Sequence, residues 1–147
     1  MLSRTSEYAL RATVFLAQHS EEGPVPGRRI ADAVNIPPKY LLNILRELVR
    51  SGVLSASPGK NGGFHTARDP KEIRLEEVLH PFESVAAPPS RCPFGNAVCS
   101  DDDPCAGHDR WKRVKCEYEC FLAETSLHDV SIRRSSVSAY SQIQGLQ

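Results

Sequence analysis

Apolar residues recur at helical spacing along the first half of the chain, and turn-forming clusters interrupt them. Ser3 suits the cap of a helix running to about Gln18, with Tyr8, Ala9, Ala12, Val14, Phe15 and Leu16 as a broad apolar face that predicts burial. The run Glu21-Glu22-Gly23-Pro24-Val25-Pro26 stops it, and residues 28–34 leave room for a two-turn helix with Ile30, Ala31 and Val34 inward. After Asn35-Ile36-Pro37-Pro38, Pro38 fits the first position of a new helix over 39–51 and Gly52 the position past its end. Leu41, Ile44, Leu45, Leu48 and Val49 form one stripe of that helix, and Lys39, Asn43, Arg46 and Arg50 a second, polar one. Residues 53–57 and 63–67 read as strands joined by the turn Pro58-Gly59-Lys60-Asn61-Gly62.

The second half changes character. A short helix over 74–79, closed by Pro81, precedes an aperiodic Pro, Ala and Asp-rich loop over 84–104. From about residue 107 the pattern is helical again, with Trp111, Val114, Tyr118, Phe121 and Leu122 close to a heptad seam, which calls for a partner helix. Thr125-Ser126 suits the cap of a last short helix from Leu127, and the Ser and Gln-rich stretch from 133 onward reads as a fraying tail. The expectation is a mainly α chain: a unit of short helices and a hairpin over 1–82, a cysteine-rich loop over 83–106, a long helix suited to pairing, followed by a short terminal helix, over 107–132, and a flexible tail over 133–147.

Composition adds less than distribution. The 147 residues, 40% hydrophobic and 24% charged, suit one ordinary domain or two very small ones. There is no apolar run of membrane-spanning length and no secretory pattern at the N-terminus, so a cytoplasmic protein without a membrane partner is expected. Basic and acidic residues balance at 18 each, but residues 1–68 carry nine basic against five acidic side chains, +4, and residues 69–147 nine against thirteen, −4. The basic half suits a polyanionic partner.

Helix, short helix, turn, second short helix and basic hairpin is the order of a winged helix-turn-helix, whose second short helix enters the major groove of double-stranded DNA. Arg46 has the fork for a bidentate pair with guanine and Asn43 the amide for adenine; Lys39 and Arg50 suit phosphates, Leu42 a thymine methyl, and Lys60 and Asn61 a wing contact. Alone, the polar stripe reads as a solvated face. Six basic residues over 28–60 against Asp32 and Glu47, together with the hairpin, favour DNA, with Arg28, Arg29 and Tyr40 completing the set. No nucleophile, base and orienting residue assemble into a catalytic set, so an enzyme is not expected.

The five cysteines, Cys92, Cys99, Cys105, Cys116 and Cys120, lie within 29 residues. Six and five residues separate the first three, wider than the close pair usual at zinc and suited to an iron–sulfur cluster. On the residues alone, cluster, zinc closed by His108, and packed or free thiols all stay open. Cluster-carrying redox protein and zinc-stabilised interaction module are the corresponding alternatives to a regulator. Cys116 and Cys120 read as packing residues beside the dimer interface, and Asp101-Asp102-Asp103 as a solvated turn.

Ser6-Glu7-Tyr8-Ala9-Leu10-Arg11-Ala12, Ile30-Ala31, Tyr40-Leu41, Gly52-Val53-Leu54-Ser55, Gly62-Gly63-Phe64 and the three-cysteine loop resemble the Rrf-type family of bacterial transcriptional regulators, over about residues 2–130. The resemblance implies a homodimer of winged helices joined through the long helix, here over 107–123. It also implies an iron–sulfur cluster on Cys92, Cys99 and Cys105 that controls operator binding in response to cluster supply, nitric oxide or redox state. His108 resembles the fourth ligand of members with a two-iron cluster, the form expected here. Glu7 resembles the acidic ligand that a four-iron member takes from its partner chain; its bland alternative is an ion pair with Arg11.

Overall fold

The computed structural model describes residues 2–83 and 91–132. The tail expected over 133–147 and residues 84–90 of the cysteine-rich loop lie outside the described residues. Among the described residues, six α-helices and one hairpin follow in the order α1 (Arg4–Gln18), α2 (Gly27–Val34), α3 (Pro38–Arg50), β1 (Leu54–Ser57), β2 (Gly63–Thr66), α4 (Leu75–Leu79), α5 (His108–Glu124) and α6 (Leu127–Ser131).

Ser3 caps α1 by accepting from the Ser6 N–H. The face that α1 buries differs from the expected one: Ser6, Ala9, Ala12, Thr13, Leu16 and Ala17 are buried, while Tyr8, Val14 and Phe15 are only partly covered. The reason is that α1 is packed by α2, α3, α4, α6 and β2, and small side chains let those backbones come close. Thr13 satisfies its hydroxyl inside the helix, donating to the Ala9 carbonyl at 3.0 Å. Ile30, Leu41, Leu45, Leu48, Val53 and Leu79 complete the core around it, each contributing about 1.5 to 3 kcal/mol by burial.

Proline opens α3 as expected, and Gly52 follows its end at φ 82°, where a side chain would be strained. β1 and β2 pair antiparallel from Leu54 opposite Thr66 to Ser57 opposite Gly63. Val25, just before α2, adds a rung by exchanging main-chain bonds of 2.9 and 2.8 Å with Phe64. Gly63 lies where this rung passes closest: at φ 155°, a Cβ there would overlap the Val25 carbonyl. The hairpin is thus tied to the entrance of α2.

The long helix α5 joins this unit only at its far end. Among the described residues it buries only His108 and Leu122, and of the apolar seam Val114 and Phe121 are 47% and 52% exposed. Past its end, Leu127 N–H donates to the Ile73 carbonyl at 2.7 Å, and Leu75 N–H to the Thr125 carbonyl at 3.1 Å. Ser126 and Asp129 form a reciprocal cap that starts α6, which packs on α1. The Ser126 hydroxyl and N–H hold the Asp129 carboxyl below the ordinary aspartate range.

Two expectations follow. Gly63→Ala should destabilise the protein by about 1 to 3 kcal/mol through overpacking against the Val25 backbone, read from the midpoint of urea unfolding at unchanged slope. Because the Asp129 carboxyl is lowered on folding, its stabilisation is complete above the ordinary aspartate pKa and lost as pH falls through the lowered one. Asp129→Asn should therefore lower stability at neutral pH and flatten the acid limb of the stability profile.

Candidate DNA interface and metal centre

Packing of α2 on α3 and the rung to Val25 bring three basic segments to one side. Gly27 and Arg28 of α2, Pro38, Lys39 and Leu42 of α3, and Phe64 of β2 line a groove of about 410 Å³. Asn43 and Arg46 continue along the exposed side of α3, and Lys60 and Asn61 are exposed in the hairpin turn. Arg28, Lys39, Arg46 and Lys60 have no salt-bridge partner among the described residues, so their charge is available to an external anion. Arg29 and Arg50 differ, for each is held at 2.9 Å by a carboxylate, Glu22 and Glu47 respectively. Tyr40 faces α1: its hydroxyl is 2.6 Å from the Thr5 hydroxyl and its ring stands edge-on to Tyr8.

The second site forms where the cysteine-rich loop enters α5. The Cys92 and Cys105 sulfurs are 3.4 Å apart, and Cys99 Sγ is 3.5 Å from His108 Nδ1. Cys92 and His108 are buried, and none of the five cysteines is in a disulfide. Burial alone would raise the Cys92 thiol, but the N–H groups of Phe94, Asn96 and Gly95 and the Cys105 thiol outweigh it and bring it below the ordinary range. Burial and the neighbouring Cys92 and Cys99 sulfurs push the Cys105 thiol up, against the Gly107 N–H. The loop is held down by Phe94, which stands edge-on to Trp111 and lies where a Cβ on Gly107 would meet its ring.

Three free thiols and a buried imidazole make a soft sulfur and nitrogen donor set, which fits iron–sulfur or zinc and not a hard cation. Among the described residues, no three His, Cys, Asp or Glu side chains already converge on one metal point; the donors stand as two pairs. Glu7 is exposed on the first turn of α1 and shares no hydrogen bond or salt bridge with the loop among the described residues. Its pair with Arg11 is not formed either, since Arg11 donates to the Val34 carbonyl.

Sequence reasoning missed Asp101. The acidic run is not a uniform solvated turn: Asp101 Oδ1 is 2.8 Å from His108 Nε2, and Lys112 Nζ bonds the same carboxylate at 2.8 and 2.7 Å. Lys112 and then His108 hold that carboxyl below its ordinary range. The available signal was Lys112, one helical turn after His108. Cys116 and Cys120 are exposed, and their side chains stand next to each other on α5.

A winged helix-turn-helix with an unpaired basic face is the architecture of a DNA-binding transcriptional regulator. Residues 2–132 match the Rrf2 family, described as iron-dependent transcriptional regulators, and the chain belongs to that family. It is 33% identical over 130 residues to the HTH-type transcriptional regulator IscR of Photorhabdus laumondii, covering 88% of this chain and 77% of that protein. The IscR of Xenorhabdus nematophila is similar to the same extent, again 33% over 130 residues with 88% and 77% covered. Among solved structures, CymR, the global cysteine regulator of B. subtilis, superposes with a TM-score of 0.74 at 23% identity, covering 89% of this chain and 95% of that one. T. potens IscR superposes with a TM-score of 0.72 at 24% identity, covering 97% and 96%. The winged-helix fold expected from the sequence is thus borne out, and the relatives are regulators, not enzymes. No helix among the described residues is long and apolar enough to cross a membrane.

Proposed function

We propose that this regulator is a cytoplasmic homodimer whose operator binding is controlled by an iron–sulfur cluster held by Cys92, Cys99, Cys105 and His108. The observation that carries the reading is that two pairs of these donors, Cys92 with Cys105 and Cys99 with His108, stand at the entrance of α5, while the other end of α5 is hydrogen-bonded into the winged-helix unit through Thr125 and Leu127. At about 1.5 Å per residue, the 17-residue helix makes a stiff link of about 25 Å between the two. When bound, the cluster supplies iron reactive toward nitric oxide and changes of redox state. The family's description as iron-dependent supports iron over zinc. The contact between Cys99 and His108 supports a ligand set from one chain, hence a two-iron cluster; a four-iron cluster completed by the partner subunit's Glu7 is the alternative.

The exposed seam residues Val114 and Phe121 support pairing of α5 with its copy. Two recognition helices in such a dimer would read successive major grooves about 34 Å apart. Arg46 and Asn43 would contact bases, Arg28, Lys39 and Lys60 would contact phosphates, and Asn61 would assist the wing. Arg29, Arg50 and Tyr40 would contribute less, because each already has a partner in the chain.

For the DNA interface, Arg46→Ala should cost about 1 to 3 kcal/mol and relax preference at one base pair, whereas Lys60→Ala should weaken binding to all sequences and lower the salt slope by about 1. Mobility-shift titrations at several salt concentrations read both, and unchanged slope and preference in both variants would make the stripe a solvated face.

For the metal centre, anaerobically purified protein should be brown, with iron and acid-labile sulfide; a colourless zinc protein would overturn the cluster. Loss of the cluster in His108→Ala is expected, and loss only in Glu7→Ala would move the fourth ligand to the partner. Cluster-loaded and metal-free protein should bind the operator with different affinity at one ionic strength, and equal affinity would leave the cluster a purely structural role.

A further inference from the structure

The imidazole of His108 has both nitrogens engaged: Nδ1 stands 3.5 Å from Cys99 Sγ and Nε2 2.8 Å from Asp101 Oδ1. An ionised carboxylate only accepts hydrogen bonds, so Nε2 must carry the proton, and in the neutral ring a metal requires, Nδ1 is left with its lone pair. The ring is 6% exposed and has little freedom to turn, whereas the carboxylate behind it lies at the surface. Asp101 is nonetheless held in place, because Lys112 grips both its oxygens at 2.8 and 2.7 Å. Chain geometry makes the arrangement local, with Asp101 two residues after Cys99 and Lys112 one helical turn after His108.

We propose that Asp101, anchored by Lys112, is the positioning residue that fixes His108 in the Nε2–H tautomer, turns its Nδ1 lone pair to the cysteine side, and so determines how firmly the centre holds its iron. This rests on the reading of His108 as a ligand. A ligating histidine whose far N–H is bonded to a carboxylate is oriented and made more basic, and removing such a carboxylate typically loosens metal binding 10- to 100-fold. Asp101 would do this from outside the donor set, since its side-chain hydrogen bonds among the described residues go to His108 and Lys112.

The test has one arm that needs no cluster. In metal-free protein labelled with 15N-histidine, the His108 ring should show an N–H type Nε2 and a lone-pair type Nδ1. Asp101→Ala should mix the tautomers, and Asp101→Asn, whose side-chain carbonyl still accepts from Nε2, should preserve the wild-type pattern. In the second arm, anaerobically reconstituted proteins are challenged with a ferrous chelator: Asp101→Ala should release iron 10- to 100-fold more readily, and Asp101→Asn should fall between it and wild type. The reduction potential should rise in Asp101→Asn, which removes a negative charge near the centre, and shift the opposite way in Lys112→Met.

An Asp101→Ala protein with wild-type tautomer and wild-type iron retention would overturn the inference. Wild-type protein that takes up no iron would overturn the cluster reading and the retention half of the inference together, while the tautomer half is still decided by the spectrum. Retention of the cluster in both His108→Ala and Asp101→Ala would show instead that His108 is not a ligand.

Discussion

Close approach of five elements to α1 is the constraint on which the rest of the structure depends. Ala9, Ala12 and Thr13 are fully buried, and their small side chains admit α2, α3, α4, α6 and β2 around a single helix. A larger residue at any of these points would push a neighbour outward, and in an interior packed at crystal-like density that displacement would travel. Through α2 and α3 it would reach the basic groove. Through α6 it would reach the end of α5.

The two candidate sites therefore sit at the ends of one mechanical chain. The basic groove is made by α2, α3 and β2, with β2 tied back to Val25 by main-chain bonds. The thiol and imidazole donors sit at the start of α5, whose end is joined to the core between Ile73 and Leu75 on one side and Thr125 and Leu127 on the other. The helix α5 is a stiff connection between these donors and the core, and the proposed linkage between ligand and DNA would run through it. Val114 and Phe121 leave an exposed apolar face along its length, the face the proposed dimer would use.

Electrostatics divides residues that look alike in composition. Arg29 and Arg50 are held by Glu22 and Glu47, and such exposed pairs are worth little to stability. Each nevertheless takes up part of a charge that Arg28 and Arg46 leave available. The acidic run is divided in the same way, for Asp101 is engaged by His108 and Lys112 while the Asp103 main chain bonds Ser100 and Asn96.

Signals acting over a few residues were legible without the structure. Ser3 as a cap, Pro38 at the start of α3, Gly52 after it, the two strands and the stripe of Leu41, Ile44, Leu45 and Leu48 all report on the conformation of their own turn of chain. The three loop cysteines and His108 stood out as possible donors by residue type and spacing, which left cluster, zinc and free thiols open, and only the family resemblance pointed to a cluster. Tertiary structure alone decided that α1 buries its small residues and leaves Tyr8 and Phe15 half covered, because that depends on how many elements surround the helix. It alone placed Tyr40 against Thr5, 35 positions away, and folded the loop so that Asp101 reaches the His108 and Lys112 pair that helical spacing sets side by side. Contacts of that kind are set by the path of the chain between the partners, and residue type and local spacing do not encode that path.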